Sequence, residues 1–277
     1  MEDALPFVSV ADMLSRTTLL SSMPAFFAFP ERAFDRADET PDTVFYADPR
    51  LYYHMDPAAR YSLRLFYEEL FEDLPAPSIV ELCASWASHL PELRDFGPVI
   101  GIGLNEEELS RNGSLTAYVV HDLNVAPVVP GIFDAARTAA EEAGLHLGAD
   151  SSDAPVDLDD GCGPIDCVTC VLGVEYLMRP VEVFTEALRL LRPGGTCIIA
   201  FSSRFMAAKA VRLWAEATEG QRLWLAASYL HFATVCGSRG NWRFSSLEAL
   251  DLSPDPGRSD PLFVVKATKA IVGAIVA

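Results

Sequence analysis

Ile79-Val80-Glu81-Leu82-Cys83 sets the frame for the whole chain. It is a short apolar run holding one acid, preceded by Pro75 and Pro77. Such a run reads as a strand buried on both faces, as in a parallel sheet. Four more runs follow the same pattern: Val99-Ile100-Gly101-Ile102-Gly103, Ala117-Tyr118-Val119-Val120-His121, Ile165 to Leu172, and Thr196-Cys197-Ile198-Ile199-Ala200-Phe201. A final strand is expected over Leu262 to Ala267.

Helical patterns flank and separate these runs. Pro57 opens one that reaches Phe71, with Leu63, Phe66, Tyr67 and Leu70 on one face. Glu106 to Arg111 carries acids in its first turn, which suits the helix dipole. Pro180 to Leu191 presents Val181, Phe184, Leu188 and Leu191 together, and Pro193-Gly194-Gly195 stops it. Arg204 to Glu216 and Gln221 to Phe232 are expected to be helical too. Strand–helix alternation implies an α/β fold with a doubly wound, mostly parallel sheet.

Residues 1–56 read as an N-terminal helical arm packed on a main domain at 57–277. Within that domain an insertion at about 131–164 breaks the rhythm. Phe133 to Ala143 is a helix candidate, and Gly148 to Gly163 is an exposed, acidic, Asp/Ser/Gly/Pro-rich stretch.

Composition narrows the function. The chain has 277 residues, half of them hydrophobic, and a formal net charge of −18. That charge disfavours nucleic acid and anionic membrane surfaces, whose binding relies on Lys and Arg. A small-molecule substrate fits better. No apolar stretch reaches the roughly 20 residues of a membrane span. Met1-Glu2-Asp3 places acids ahead of the apolar residues, unlike a secretory signal. Six cysteines are present. Cys167 and Cys170 form a CxxC, but on a strand residues three apart face opposite ways, so they do not share a metal. Core cysteines imply a reducing compartment, cytoplasm or plastid.

In an open α/β sheet, ligands bind beyond the carboxyl ends of the strands. The residues there carry a resemblance. Leu82-Cys83-Ala84-Ser85-Trp86-Ala87-Ser88-His89-Leu90-Pro91, Gly101-Ile102-Gly103-Leu104-Asn105-Glu106-Glu107-Glu108-Leu109, Asp122-Leu123-Asn124 and Leu191-Arg192-Pro193-Gly194-Gly195 are its central motifs. Phe45-Tyr46-Ala47-Asp48-Pro49-Arg50 and Ser253-Pro254-Asp255-Pro256-Gly257-Arg258-Ser259-Asp260-Pro261 extend it. The chain resembles the class I S-adenosylmethionine-dependent methyltransferases of type 11, and more narrowly an uncharacterised plant and algal branch. The resemblance implies a Rossmann-like, seven-stranded sheet and S-adenosylmethionine as cofactor, with S-adenosylhomocysteine as product.

The resemblance also implies roles. Glu81 stands at the acid that ends the first strand. The glycines expected after it fall at Cys83, Ser85 and Ala87. The acid expected to grip the ribose falls at Gly103, with Asn105 two residues on. Asp122 stands at the adenine acid, beside Leu123. Losing a carboxylate–diol contact costs about 1.5–3 kcal/mol, unless Asn105 or Trp86 compensates. Trp86 either stacks on an adenine or sulfonium face or packs against the helix after the first strand.

Tyr176, Arg204, His231 and Arg258 are the catalytic candidates. Glu175, Ser202, Ser203, Lys209, His54 and His89 stand near the same strand ends. Arg204 and Arg258 suit an anionic substrate group or an internal partner such as Asp260. The turn-rich loop Asp255 to Pro261 is expected to wall the pocket. These residues fit methyl transfer to a small molecule. A catalytically degenerate binding or assembly subunit is the alternative, because the glycine turn and ribose acid are missing. A third reading keeps the enzyme but gives it another nucleotide-like or sulfonium ligand.

Overall fold

The computed structural model describes Met23, Phe27, Phe29, Pro30, residues 32–92 and 94–129, scattered positions from 131 to 144, and residues 161–237 and 240–272. The acidic stretch expected at 148–163 lies largely outside the described residues. Most of the expected arm before residue 32 and most of the Phe133–Ala143 helix also lie outside them.

The strands are β1 (Ile79–Leu82), β2 (Val99–Gly103), β3 (Ala117–Val120), β4 (Ile165–Val171), β5 (Leu191–Phe201), β6 (Thr234–Gly237), β7 (Gly240–Asp251) and β8 (Phe263–Val272). Among the described residues they form one sheet in the order β3-β2-β1-β4-β5-β8-β7-β6. The first five pair in parallel, and β8, β7 and β6 pair antiparallel in succession. The order reverses at β1, where the chain crosses from β3 back to β4. This is the expected doubly wound, Rossmann-like architecture, with eight strands rather than seven. Six of them match the runs located in the sequence, and the other two form the β6–β7 hairpin, where no strand was expected. Trp242, Phe244, Leu247 and Ala249 are buried along β7. A register shift between Ser245 and Glu248, with Ser246 at φ 51°, interrupts the two-residue alternation.

The helices are α1 (Asp42–Phe45), α2 (Pro57–Leu70), α3 (Glu106–Ser110), α4 (Pro180–Leu190), α5 (Arg212–Glu216) and α6 (Glu219–Phe232). Each long helix begins where its sequence provides a start. Asp56 caps α2 by accepting from the Ala59 N–H, and Pro57 occupies its first turn. Thr218 and Gln221 form a capping box on α6. The helix expected over 204–216 is confined to α5, because a turn at Met206–Ala210 precedes it and Val211 is held extended: its N–H donates to Glu175 O, and it bridges Arg36 of the arm.

The sheet divides two apolar cores. Cys170 packs in one and Cys167 in the other, as expected for residues three apart on a strand. β1, β2 and nearly all of β4 are buried on both faces, but β3 alternates, leaving Tyr118 and Val120 exposed. That departs from the expectation, and its cause is the place of β3 at the sheet edge.

Candidate functional site

A cleft of about 190 Å³, partly open to solvent, lies beyond the carboxyl ends of β1 to β4. Glu81, Cys83, Ser85, Trp86, Gly103, Asn105, Asp122, Leu123 and Tyr176 line it, together with Tyr46, Arg50, His54 and His89.

Its floor is the turn after β1. Cys83 has φ 55°, the left-handed conformation that glycine adopts freely. The backbone of the expected glycine is kept without the glycine, at about 1–2 kcal/mol. The room has moved across the contact. A Cβ on Gly173, after β4, would come within 2.5 Å of the Cys83 Cβ and 2.8 Å of its sulfur.

Hydrogen bonds replace the glycines in shaping the rest of the turn. Ala84 N–H donates to Ile102 O (2.8 Å). Ser85 Oγ donates to Glu108 Oε2 (2.5 Å), and Asn112 Nδ2 donates to Ser85 O and Ser88 Oγ. Ser88 Oγ donates to Glu81 Oε2 (2.5 Å). Burial still pushes the Glu81 carboxyl up to about 7, with the Ser88 bond opposing it.

The turn also explains the missing ribose acid. A Cβ on Gly103 would collide with the Ala84 carbonyl oxygen. No side chain, and so no acid, fits there while the turn keeps this path. Asn105 does not replace it. Its Oδ1 caps α3 through the Glu108 N–H, and its Nδ2 donates to Tyr46 O and Ala47 O. It is a clamp between α3 and the arm. Trp86 lines the cleft, but its ring and indole N–H meet the arm. Its ring packs on Tyr53 (centroids 4.6 Å) and its Nε1 donates to Tyr52 O, so it too holds the arm. Asp122 lies past β3 on the cleft wall, its Oδ1 accepting from the Asn124 and Val125 N–H groups.

The catalytic candidates separate. Tyr176 reaches the cleft, with its hydroxyl accepting from Met206 N–H and its phenol pushed up by burial. Arg204, His231 and Arg258 do not line it. Arg204 pairs with Asp260 at 2.7 Å. His231 lies near the end of α6 against Phe232. The Arg258 side chain is 84% exposed, 3.9 Å from Asp255. The Asp255–Pro261 loop is likewise not a cleft wall. It holds the arm, with the Asp56 and Asp260 backbone N–H groups each donating to the other's carboxylate. Lys209 is fully buried and committed to Asp42 at 3.1 Å. Glu175 is buried behind the cleft, and burial pushes its carboxyl up to about 7. Among the described residues no group of three His, Cys, Asp or Glu is placed to hold a metal.

The sequence reading missed Tyr46 and Arg50. Both come from the arm, on the segment between α1 and α2. Their signal was present in Phe45-Tyr46-Ala47-Asp48-Pro49-Arg50, quoted above for resemblance alone.

Residues 95–199 match the family model described as Methyltransferase domain. A ubiquinone biosynthesis O-methyltransferase of Caulobacter sp. (strain K31) is 33% identical over 120 residues, which cover 43% of this chain and 44% of that protein. The match thus spans under half of that relative. Among solved structures, phosphoethanolamine N-methyltransferase 1 of Haemonchus contortus, in complex with phosphoethanolamine and S-adenosylhomocysteine, is 14% identical, with TM-score 0.47 over 79% of this chain and 43% of that one. An S-adenosylmethionine-dependent methyltransferase of Mesorhizobium loti is 14% identical, with TM-score 0.42 over 77% of this chain and 99% of that one. The likeness to a methyltransferase domain expected from the sequence is borne out over residues 95–199.

Proposed function

Taking the methyltransferase-domain match as premise, we propose that this chain binds S-adenosylmethionine in the cleft and transfers its methyl group to a small-molecule acceptor. One observation carries the proposal: the cleft stands at the carboxyl ends of β1, β2 and β4, where the strand order reverses, with Asp122 past β3. The left-handed backbone at Cys83 supports it, because the turn keeps a glycine's path under the ligand. The cofactor would supply an electrophilic methyl on a sulfonium. This chain's residues would hold and align the two reactants, and alignment is most of what such a transfer needs.

Asp122 would accept a hydrogen bond from the adenine amino group. The ribose would be held without an acid at position 103. The likeness to a ubiquinone biosynthesis O-methyltransferase supports a small acceptor, and the net charge of −18 argues against a polyphosphate one. Calorimetric titration with S-adenosylmethionine and S-adenosylhomocysteine tests the reading. Saturable binding of either supports it, and no binding at millimolar concentration overturns it.

A second reading, a binding or assembly subunit on the same fold, is favoured by one feature. Asn105 and Trp86, at positions expected to contact the cofactor, hold the arm instead. The same titration decides between the two.

A further inference from the structure

Cys83 and Cys170 meet beneath the cleft. Cys170 pairs with Leu82 where β1 and β4 run side by side, so Cys83 stands one residue beyond that pairing. Strand spacing and rise then put the two Cα atoms about 6 Å apart, inside the roughly 4.4–6.8 Å that a disulfide spans. A strand continued past Leu82 would turn the Cys83 side chain to the other face of the sheet. The left-handed backbone at Cys83 (φ 55°) turns it instead to the face of Cys170, and both side chains pack in the same core. Their thiols share a hydrogen bond. Gly173 leaves the room for this contact. A Cβ there would lie 2.8 Å from the Cys83 sulfur and 3.3 Å from the Cys170 sulfur.

The two thiols differ in access. Cys83 is half-buried and lines the cleft, whereas Cys170 is fully buried. The hydrogen bond to Cys83, together with burial, raises the Cys170 thiol well above its ordinary range, so it keeps its proton and donates toward the Cys83 sulfur. We propose that Cys83 and Cys170 form a redox pair, in which a peroxide entering the cleft oxidises Cys83 and Cys170 then closes a disulfide. The pair rests on the methyltransferase reading only for the identity of the ligand that shields it. An accessible thiol beside a second, resolving thiol is the arrangement that reversible oxidation uses.

The steps balance with the peroxide as oxidant. The Cys83 sulfur attacks one peroxide oxygen, so that an S–O bond forms and the O–O bond breaks. The departing hydroxide takes the Cys83 thiol proton and leaves as water. The Cys170 sulfur then attacks the Cys83 sulfur, forming the S–S bond and breaking the S–O bond. That hydroxide takes the Cys170 proton and leaves as a second water. Both thiols are oxidised and the peroxide is reduced. Cys197, the other thiol near Cys170, has no exposed surface and cannot take the first step. The new bond would tie the turn after β1 to β4, fixing two walls of the cleft to each other.

The test treats wild type, Cys83→Ser and Cys170→Ser with hydrogen peroxide, caps the remaining thiols with N-ethylmaleimide and maps the peptides by mass spectrometry. Wild type is expected to yield a peptide linked through Cys83 and Cys170, which dithiothreitol returns to two free thiols. Cys170→Ser should leave Cys83 as a sulfenic acid that dimedone traps, and Cys83→Ser should leave Cys170 a free thiol. Wild type in which Cys83 passes to a sulfinic acid while Cys170 stays free overturns the pair. So does wild type in which the exposed Cys236 is oxidised and Cys83 is untouched. The wild-type map decides alone if a variant does not fold. S-adenosylhomocysteine at about ten times its Kd is expected to slow formation of the link about tenfold. A link that forms at an unchanged rate with this ligand present upholds the pair and counts against an adenosyl ligand lying over the turn.

Discussion

Two stretches of the arm, only a few residues apart, are built on opposite rules. At Asp42 every charge has an opposite charge. Arg36 Nη1 reaches both carboxylate oxygens at 2.8 and 2.7 Å, Lys209 lies at 3.1 Å, and Asn124 Nδ2 donates at 2.9 Å. The Arg36, Asp42 and Lys209 side chains are 5%, 4% and 0% exposed. Burial alone would raise the Asp42 carboxyl, but its bonds to Arg36, Asn124 and Lys209 outweigh that and hold it below the usual range. At Tyr46 and Arg50, by contrast, two cleft-lining side chains each keep a buried polar atom without a partner among the described residues. A cluster whose charges are paired anchors the chain. An unsatisfied one beside a cleft is left for a ligand.

The sharpest way to break this contrast is at the anchor. Asp42→Ala leaves buried Arg36 and Lys209 with only the longer ion-pair contacts to Glu39 at 3.5 Å and Asp38 at 3.9 Å and is expected to cost about 3–5 kcal/mol, read as a shifted denaturant midpoint. A loss below about 1 kcal/mol would make the cluster no more than a surface ion pair.

Glu175 is a third case, a buried carboxyl whose Oε2 has no partner among the described residues. Because its folded pKa is raised from 4.5 to about 7, its contribution to stability is complete below pH 4.5 and is lost as pH rises through 7. Glu175→Gln should flatten the fall in stability across that window, by up to roughly 1.4 kcal/mol per pH unit. An unchanged profile would show that Glu175 is ionised in the fold.

The wall of the cleft is expected to be as strict as its anchor. Gly103→Asp, which restores the ribose acid in sequence, should destabilise by about 1–3 kcal/mol and weaken ligand binding, since its Cβ meets Ala84 O. Tighter binding at unchanged stability would contradict the course assigned to the turn.

The smallest effect is expected where the donors are free. Arg50→Met should move the unfolding free energy by no more than about 0.5 kcal/mol. A loss like that at Asp42 would make Arg50 a second anchor.

The parallel half of the fold was legible because β1, β2 and β4 are buried on both faces and read as unbroken apolar runs. The antiparallel edge was not. The bulge near Ser246 breaks the alternation of β7, and β6 has only four residues. At the site, the strand-end positions could be read from spacing. Their uses could not, because Asn105 and Trp86 are committed to arm residues 58–59 and 34 positions away in sequence, respectively. The same distance hid Tyr46 and Arg50, since nothing local marks a hydroxyl or guanidinium as lacking a partner.

The central claim is that the turn after β1 holds an adenosyl ligand without its glycines. Titration of the folded protein with S-adenosylhomocysteine tests it most directly. Saturable one-to-one binding is predicted, weakened about tenfold by Asp122→Ala through loss of a charged hydrogen bond. No heat of binding at millimolar ligand would contradict it.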